Sequence, residues 1–107
     1  MQGLRAAYRH EASFRLEVYL SIILIPLGLY LGHGGVEKIL LAGPMLLVMS
    51  AELLNSAIET VLDKLSPERS EMAGRAKDMG SAAVFMLMLM LGLCWLCILG
   101  PRLLAMA

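Results

Sequence analysis

Glu52, Asn55, Glu59 and Asp63 recur at spacings of three and four residues in AELLNSAIETVLD, residues 51–63. On a helix turning about 100° per residue they fall near 0°, 300°, 340° and 20°, one narrow polar stripe. The run leading into it, Ile39 to Ala51, carries no charge but has only 13 residues. That is roughly 20 Å of helix, whereas a hydrocarbon core needs about 20 residues. A span here must therefore run to about Ile58, with Glu52 and Asn55 inside the slab and Glu59 at its edge. Holding a carboxylate there costs about 2.5 to 3.5 kcal/mol. Acids kept at such a cost mark functional sites, and a stripe of this length exceeds what helix-to-helix hydrogen bonding alone requires.

The elements that must position the stripe follow from how charge is distributed. The chain has 107 residues, 59% of them hydrophobic, and a formal net charge of zero. That is one small domain. Val18 to Val36 and Met79 to Pro101, runs of 19 and 23 residues, contain no Asp, Glu, Lys or Arg. Both are long enough to cross a bilayer. With the middle segment they predict an all-α membrane protein with three transmembrane helices: 18–33, 39–65, and a third within 67–100 that begins as a charged extension. The mixed-charge residues ahead of the first run, with no small-residue cleavage pattern after it, argue against a cleaved signal peptide. No basic face is available to neutralise a row of phosphates, which argues against nucleic acid.

Residues 3–16, within GLRAAYRHEASFRLE, read as a short interfacial helix. Leu4, Ala7, Tyr8, Glu11 and Phe14 share its less polar face, and Arg5, Arg9 and Arg15 anchor to headgroups. Glu17 stands at the membrane boundary, as a snorkelling charge or a site residue. Pro26 is expected to kink the first span, and Gly28 with Gly32 allows close helix approach. Gly43 and Pro44 are expected to bend or delay the second span. Ser66, Pro67 and Glu68 read as the start of a new helix. Gly80, Ser81, Ala82 and Ala83 offer it a small packing face. Met86, Met88 and Met90 read as lipid-facing or filler, and Cys94 with Cys97 as apolar packing rather than a zinc or redox motif. His33 has no partner ligands nearby and reads as a loop residue.

Orientation follows from basic residues near the helix ends. Arg5, Arg9, Arg15, Lys64, Arg69, Arg75 and Lys77 lie on one side, and only Lys38 and Arg102 on the other. This predicts a cytoplasmic N-terminus and 64–78 connection, with the C-terminus opposite. Glu11, Glu59, Asp63, Lys77 and Asp78 then gather at the cytoplasmic boundary. Carboxylates there suit magnesium, which takes one or two of them plus phosphate oxygens. A lysine binds phosphate as a point charge, and a further acid can take a proton from a hydroxyl. Those are the parts of phosphoryl transfer to a lipid alcohol. Neither a G-x-x-x-x-G-K-[ST] loop nor a soluble kinase loop set is present; Gly74 to Gly80 has the wrong spacing.

GLRAAYRHEASFRLE, AELLNSAIETVLDKL and GRAKDMGSAAV closely resemble the small bacterial integral-membrane diacylglycerol kinases, from Gly3 to about Trp95. The resemblance implies a homotrimer of three-span protomers in the bacterial inner membrane. It implies transfer of the γ-phosphoryl group of MgATP to diacylglycerol, giving phosphatidic acid. Glu52 is then the general base, with Asn55 orienting groups around it. Glu11 and Glu59 hold Mg2+ against the phosphates of ATP, and Lys77 pairs with the transferring phosphate. Glu68, Arg69, Ser70 and Asp78 contact nucleotide. Arg5, Tyr8, Ser13, Phe14, Arg15, Glu17 and Ser81 border the lipid beside Glu52. Members of that family usually carry a longer amphipathic N-terminal segment, so contacts made by it are expected to be missing here. The GRAKDMGSAAV wording favours diacylglycerol over the related undecaprenol kinases. A small proton-coupled transporter, the reading from another class, leaves Lys77 and Asp78 unexplained.

Overall fold

The computed structural model of the chain describes residues 1–65 and 70–106. The helix-start signal at Ser66, Pro67 and Glu68, and the nucleotide contacts expected of Glu68 and Arg69, lie outside the described residues. Within them the chain forms α1 (Gln2–His10), α2 (Ala12–Leu31), α3 (Gly34–Leu65) and α4 (Glu71–Met106). At about 1.5 Å per residue, α3 and α4 are roughly 48 and 54 Å long, well beyond a hydrocarbon core of about 30 Å. The last three helices are long and apolar enough to cross a membrane.

The helix expected over 3–16 is two helices. Glu11 takes an extended conformation, φ −117° and ψ 109°, so it closes α1 and opens α2. Local hydrogen bonds stabilise the break. The Arg15 guanidinium donates from Nη1 to the carbonyls of Tyr8 and Arg9, both at 3.0 Å, satisfying acceptors that a helix end leaves free. Glu11 donates its own N–H to Ala7 at 2.9 Å and accepts that of Arg15 at 3.1 Å. Arg15, expected at headgroups, thus spends part of its fork as a cap.

α3 is the central helix. It packs between α2 and α4, and α1 folds back against α2 and α3. Leu41, Met45 and Val48, at spacings of four and three, are the fully buried stripe on α3, joined by Phe14, Ala73 and Val84 from its neighbours. Gly28 supplies the expected close approach. A Cβ there would stand 2.9 Å from that of Leu41 across the α2–α3 seam. α3 runs unbroken from Gly34 through Gly43 and Pro44, rather than starting near 39. Proline deprives the carbonyl four residues back of a donor. One residue beyond that carbonyl, Trp95 of α4 donates Nε1–H to the Leu41 carbonyl at 2.9 Å. Ser70 caps α4, its hydroxyl accepting the Ala73 N–H at 3.0 Å.

The end of the bundle remote from α1 is clasped by polar bonds. Gly34, at φ +82°, makes the turn from α2 to α3. Glu37 accepts the His33 N–H at 2.8 Å and pairs with Arg102, which also donates to the Leu31 carbonyl at 2.9 Å. The α4 face is left open. Only 6% of its most apolar window is buried, against 44% for α3. Met86, Met88 and Met90 are exposed, and Cys94 and Cys97 are free thiols. Replacing Trp95 by Phe should keep the ring packing and lose one hydrogen bond. Unfolding in detergent micelles should become easier by about 1 kcal/mol.

Candidate active site

The 3.6-residue period puts the polar residues of α3 on one face, and the helices beside it decide what that face meets. Asn55 and Ser56 are buried on α3, whereas Glu52 and Glu59 are half-buried. The Asn55 amide donates Nδ2–H to Oε1 of Glu59 at 2.9 Å, an i to i+4 bond along the helix. Asp63, the outermost member, is exposed and accepts from Lys77 Nζ at 2.7 Å, tying the end of α3 to the start of α4. Lys77, expected to face a phosphate, is thus held by the stripe itself. Exposed pairs of this kind add little stability. This one places the ammonium four residues beyond Glu59 at small cost should it exchange partners.

Glu17 is the residue for which the sequence left two readings, and its burial in α2 argues against a snorkelling charge. It is 7% exposed, and its carboxyl group meets that of Glu52 across the α2–α3 seam. It does not snorkel to water. Its Oε1 has no hydrogen-bond partner. Two acceptors brought together need something positive between them, a proton, a donor or a cation. Glu11 completes the group from the break between α1 and α2. There it faces α3, lining a groove with Ser56 and Thr60.

Beside this acidic cluster runs a groove of about 640 Å³ between α1 and α3. Leu4, Ala7, Leu53 and Ala57 give it an apolar wall, and Glu11, Ser56 and Thr60 line it with polar groups. That combination suits a molecule with an apolar body and a polar head. Ser56 and Thr60 are not singled out by the stripe's spacing; they sit one residue past Asn55 and Glu59, toward α1. The rim of the α1–α2 corner is aromatic. Tyr8 and Tyr19 share a hydroxyl hydrogen bond of 2.9 Å with their rings edge to face at 6.3 Å. That bond with Tyr19 raises the Tyr8 phenol above its ordinary pKa of 10.0. No sequence spacing points to Tyr19, because the pairing needs the break at Glu11.

The remaining expected residues scatter around this centre. Phe14 is buried in the core beneath the α1–α2 corner, and Arg5, Ser13 and Ser81 are exposed. Asp78 is exposed one residue past Lys77, and Ser70 is engaged as the cap of α4.

Magnesium fits the residues present. None of the ion pairs among the described residues involves Glu11, Glu17, Glu52 or Glu59. Four acids therefore share one region without an ion-pair partner among the described residues. No group of three or more His, Cys, Asp or Glu side chains among the described residues is gathered tightly enough to hold a metal by itself. A magnesium ion that takes one or two carboxylates and completes its shell with phosphate and water needs no such cage.

The family model for prokaryotic diacylglycerol kinase matches residues 1–99. The diacylglycerol kinase of Haemophilus influenzae is 50% identical over 95 residues, covering 89% of this chain and 80% of that protein. That of Escherichia coli strain K12 is 43% identical over 98 residues, 92% of this chain and 80% of its own. That of Pseudomonas aeruginosa is 42% identical over 99 residues, again 92% and 80%. The acidic cluster, the lysine opposite it and the groove all fall inside the matched stretch, and the chain belongs to the prokaryotic diacylglycerol kinase family.

Proposed function

We propose that the acidic face of α3 is the phosphoryl-transfer centre of this kinase. The enzyme moves a phosphoryl group from ATP to the hydroxyl of diacylglycerol, giving phosphatidic acid. Its relatives carry that name, which favours this reading over an undecaprenol kinase or a proton-coupled transporter. The observation that carries the assignment to this face is four acids, from α2, α3 and the break between α1 and α2, with no ion-pair partner among the described residues and beside an amphipathic groove.

In this reading the groove between α1 and α3 takes the lipid, with its hydroxyl toward Glu52. The Glu52 carboxylate accepts the hydroxyl proton as the oxygen attacks the γ-phosphorus in line. The new O–P bond forms as the bridging O–P bond breaks, and ADP leaves with that electron pair. Glu17 presses on Glu52 from α2 and restricts where its carboxyl group can turn. Glu11 and Glu59 would hold magnesium, which when bound offsets the negative charge of the phosphate oxygens. Lys77 exchanges Asp63 for the transferring phosphate, and Asp78, Ser70, Glu68 and Arg69 border the nucleotide. Arg5, Tyr8, Ser13, Phe14, Arg15 and Ser81 shape the lipid's surroundings.

The same reading places the acidic cluster and α1 at the cytoplasmic face of a bacterial inner membrane, seven basic side chains against two. The open face of α4 and the partly uncovered polar stripe then call for further copies of the chain; that they make a homotrimer is what the family resemblance implies.

Phosphate transfer from radiolabelled MgATP to diacylglycerol in mixed micelles tests the centre. Glu52→Gln should lower kcat by about 10²- to 10⁴-fold while sparing MgATP binding. Near-full turnover in that variant would remove Glu52 from the role. Glu11→Gln and Glu59→Gln should instead raise the magnesium concentration for half-maximal rate by at least about tenfold. An unchanged magnesium requirement would dismiss them as ligands. Native mass spectrometry from detergent should give three copies per particle.

A further inference from the structure

Gly80 lies on α4 opposite Asn55, in an ordinary right-handed helix, so no backbone conformation demands glycine there. Space does. A Cβ built on Gly80 would clash with Oδ1 of Asn55 and stand 3.1 Å from its Cγ. The other glycines of α4 are under no such pressure. Gly74 and Gly92 would meet nothing within 4 Å, and Gly100 only the tip of Leu96 at 3.7 Å. On α4 the close approach is confined to the one glycine that faces the polar stripe.

Asn55 cannot give way cheaply. It is 6% exposed, and its Nδ2 is already committed to Glu59 at 2.9 Å. Its Oδ1 is buried with no hydrogen-bond partner. The hydrogen that stands in place of a side chain on Gly80 points at that oxygen, a weak C–H···O contact. Its value is orientational. With Oδ1 against α4, the amide nitrogen is turned along α3 to the Glu59 carboxylate. The opposite orientation would set Oδ1 against that carboxylate, acceptor to acceptor. A Cβ at Gly80 forces a shift where α4 crosses Asn55. Either Asn55 swings off Glu59 or α4 moves out.

We propose that Gly80 is a positioning residue for the phosphoryl-transfer site. By leaving its side-chain volume empty it lets Asn55 stand against α4 with its amide nitrogen on Glu59, and so fixes the carboxylate that receives the divalent metal. This rests on the reading of Glu59 as a metal ligand.

The test uses the full chain in detergent micelles with a non-hydrolysable ATP analogue, titrated with Mn2+ and followed by electron paramagnetic resonance. Gly80→Ala and Asn55→Ala should each weaken Mn2+ binding by about tenfold. The double variant should fall within about twofold of the weaker single one, since both changes break the same link. Gly28→Ala serves as the packing control, its Cβ meeting Leu41 in the apolar α2–α3 seam. It should unfold more readily yet keep wild-type Mn2+ affinity. Wild-type affinity in Gly80→Ala, losses that multiply in the double variant, or a wild type that binds no Mn2+ would each overturn the proposal. Where Gly80→Ala alone does not fold, folding of the double variant supports the contact, and its failure to fold refutes it. A wild type that binds Mn2+ but phosphorylates no diacylglycerol sinks the kinase reading separately, because the Mn2+ comparison involves no turnover.

Discussion

The constraint behind this protein is that a hydrocarbon slab cannot solvate a carboxylate. Glu52 and Asn55 lie within a helix that must cross the slab, so every polar atom they carry has to be met by protein, substrate or ion. The fold answers by placing α3 in the middle. α2 covers one side of it with Glu17, α4 covers the other with Gly80, and α1 folds over the end near Glu11. A helix placed at the edge of the bundle would have left the same residues against lipid.

Stability and the proposed chemistry draw on different ends of α3. Toward its start the helix is packed by Leu41, Met45 and Val48 and bound to α4 through Trp95. The clasp of Glu37, Arg102 and Leu31 closes that end, with Arg102 beyond the residues that match the family model. Toward its other end the contacts are polar, partly open and incompletely satisfied, including the buried Oε1 of Glu17 and Oδ1 of Asn55. Unmet polar atoms in a nonpolar setting are costly, and they are tolerated where chemistry uses them. A firmly clasped far end lets the polar end keep its geometry without close packing there.

The break at Glu11 has a corresponding logic. A continuous helix over 3–16 would carry α1 away from the bundle in line with α2. The extended residue turns it back over α3 and makes the groove that Glu11 lines. Arg15, Tyr8 and Tyr19 hold the corner. The less polar stripe of Leu4, Ala7 and Phe14 finds a partner in the same movement, with Ala7 and Phe14 buried.

The amino-acid sequence by itself determined the helical class, the three apolar spans and the polar face of α3, because periods of 3.6 residues and charge-free runs are local properties. It also determined the likeness to the family through AELLNSAIETVLDKL and GRAKDMGSAAV. Helix limits were less legible. Arg15 caps the end of the first helix from the next one, and the bond from Trp95 reaches α3 beside Pro44. Only the tertiary structure decided that Glu17 faces Glu52, that Lys77 rests on Asp63, and that Gly80 is the gap into which Asn55 fits. Each is a meeting between two different helices, and no spacing within one helix encodes which residue of another will stand opposite.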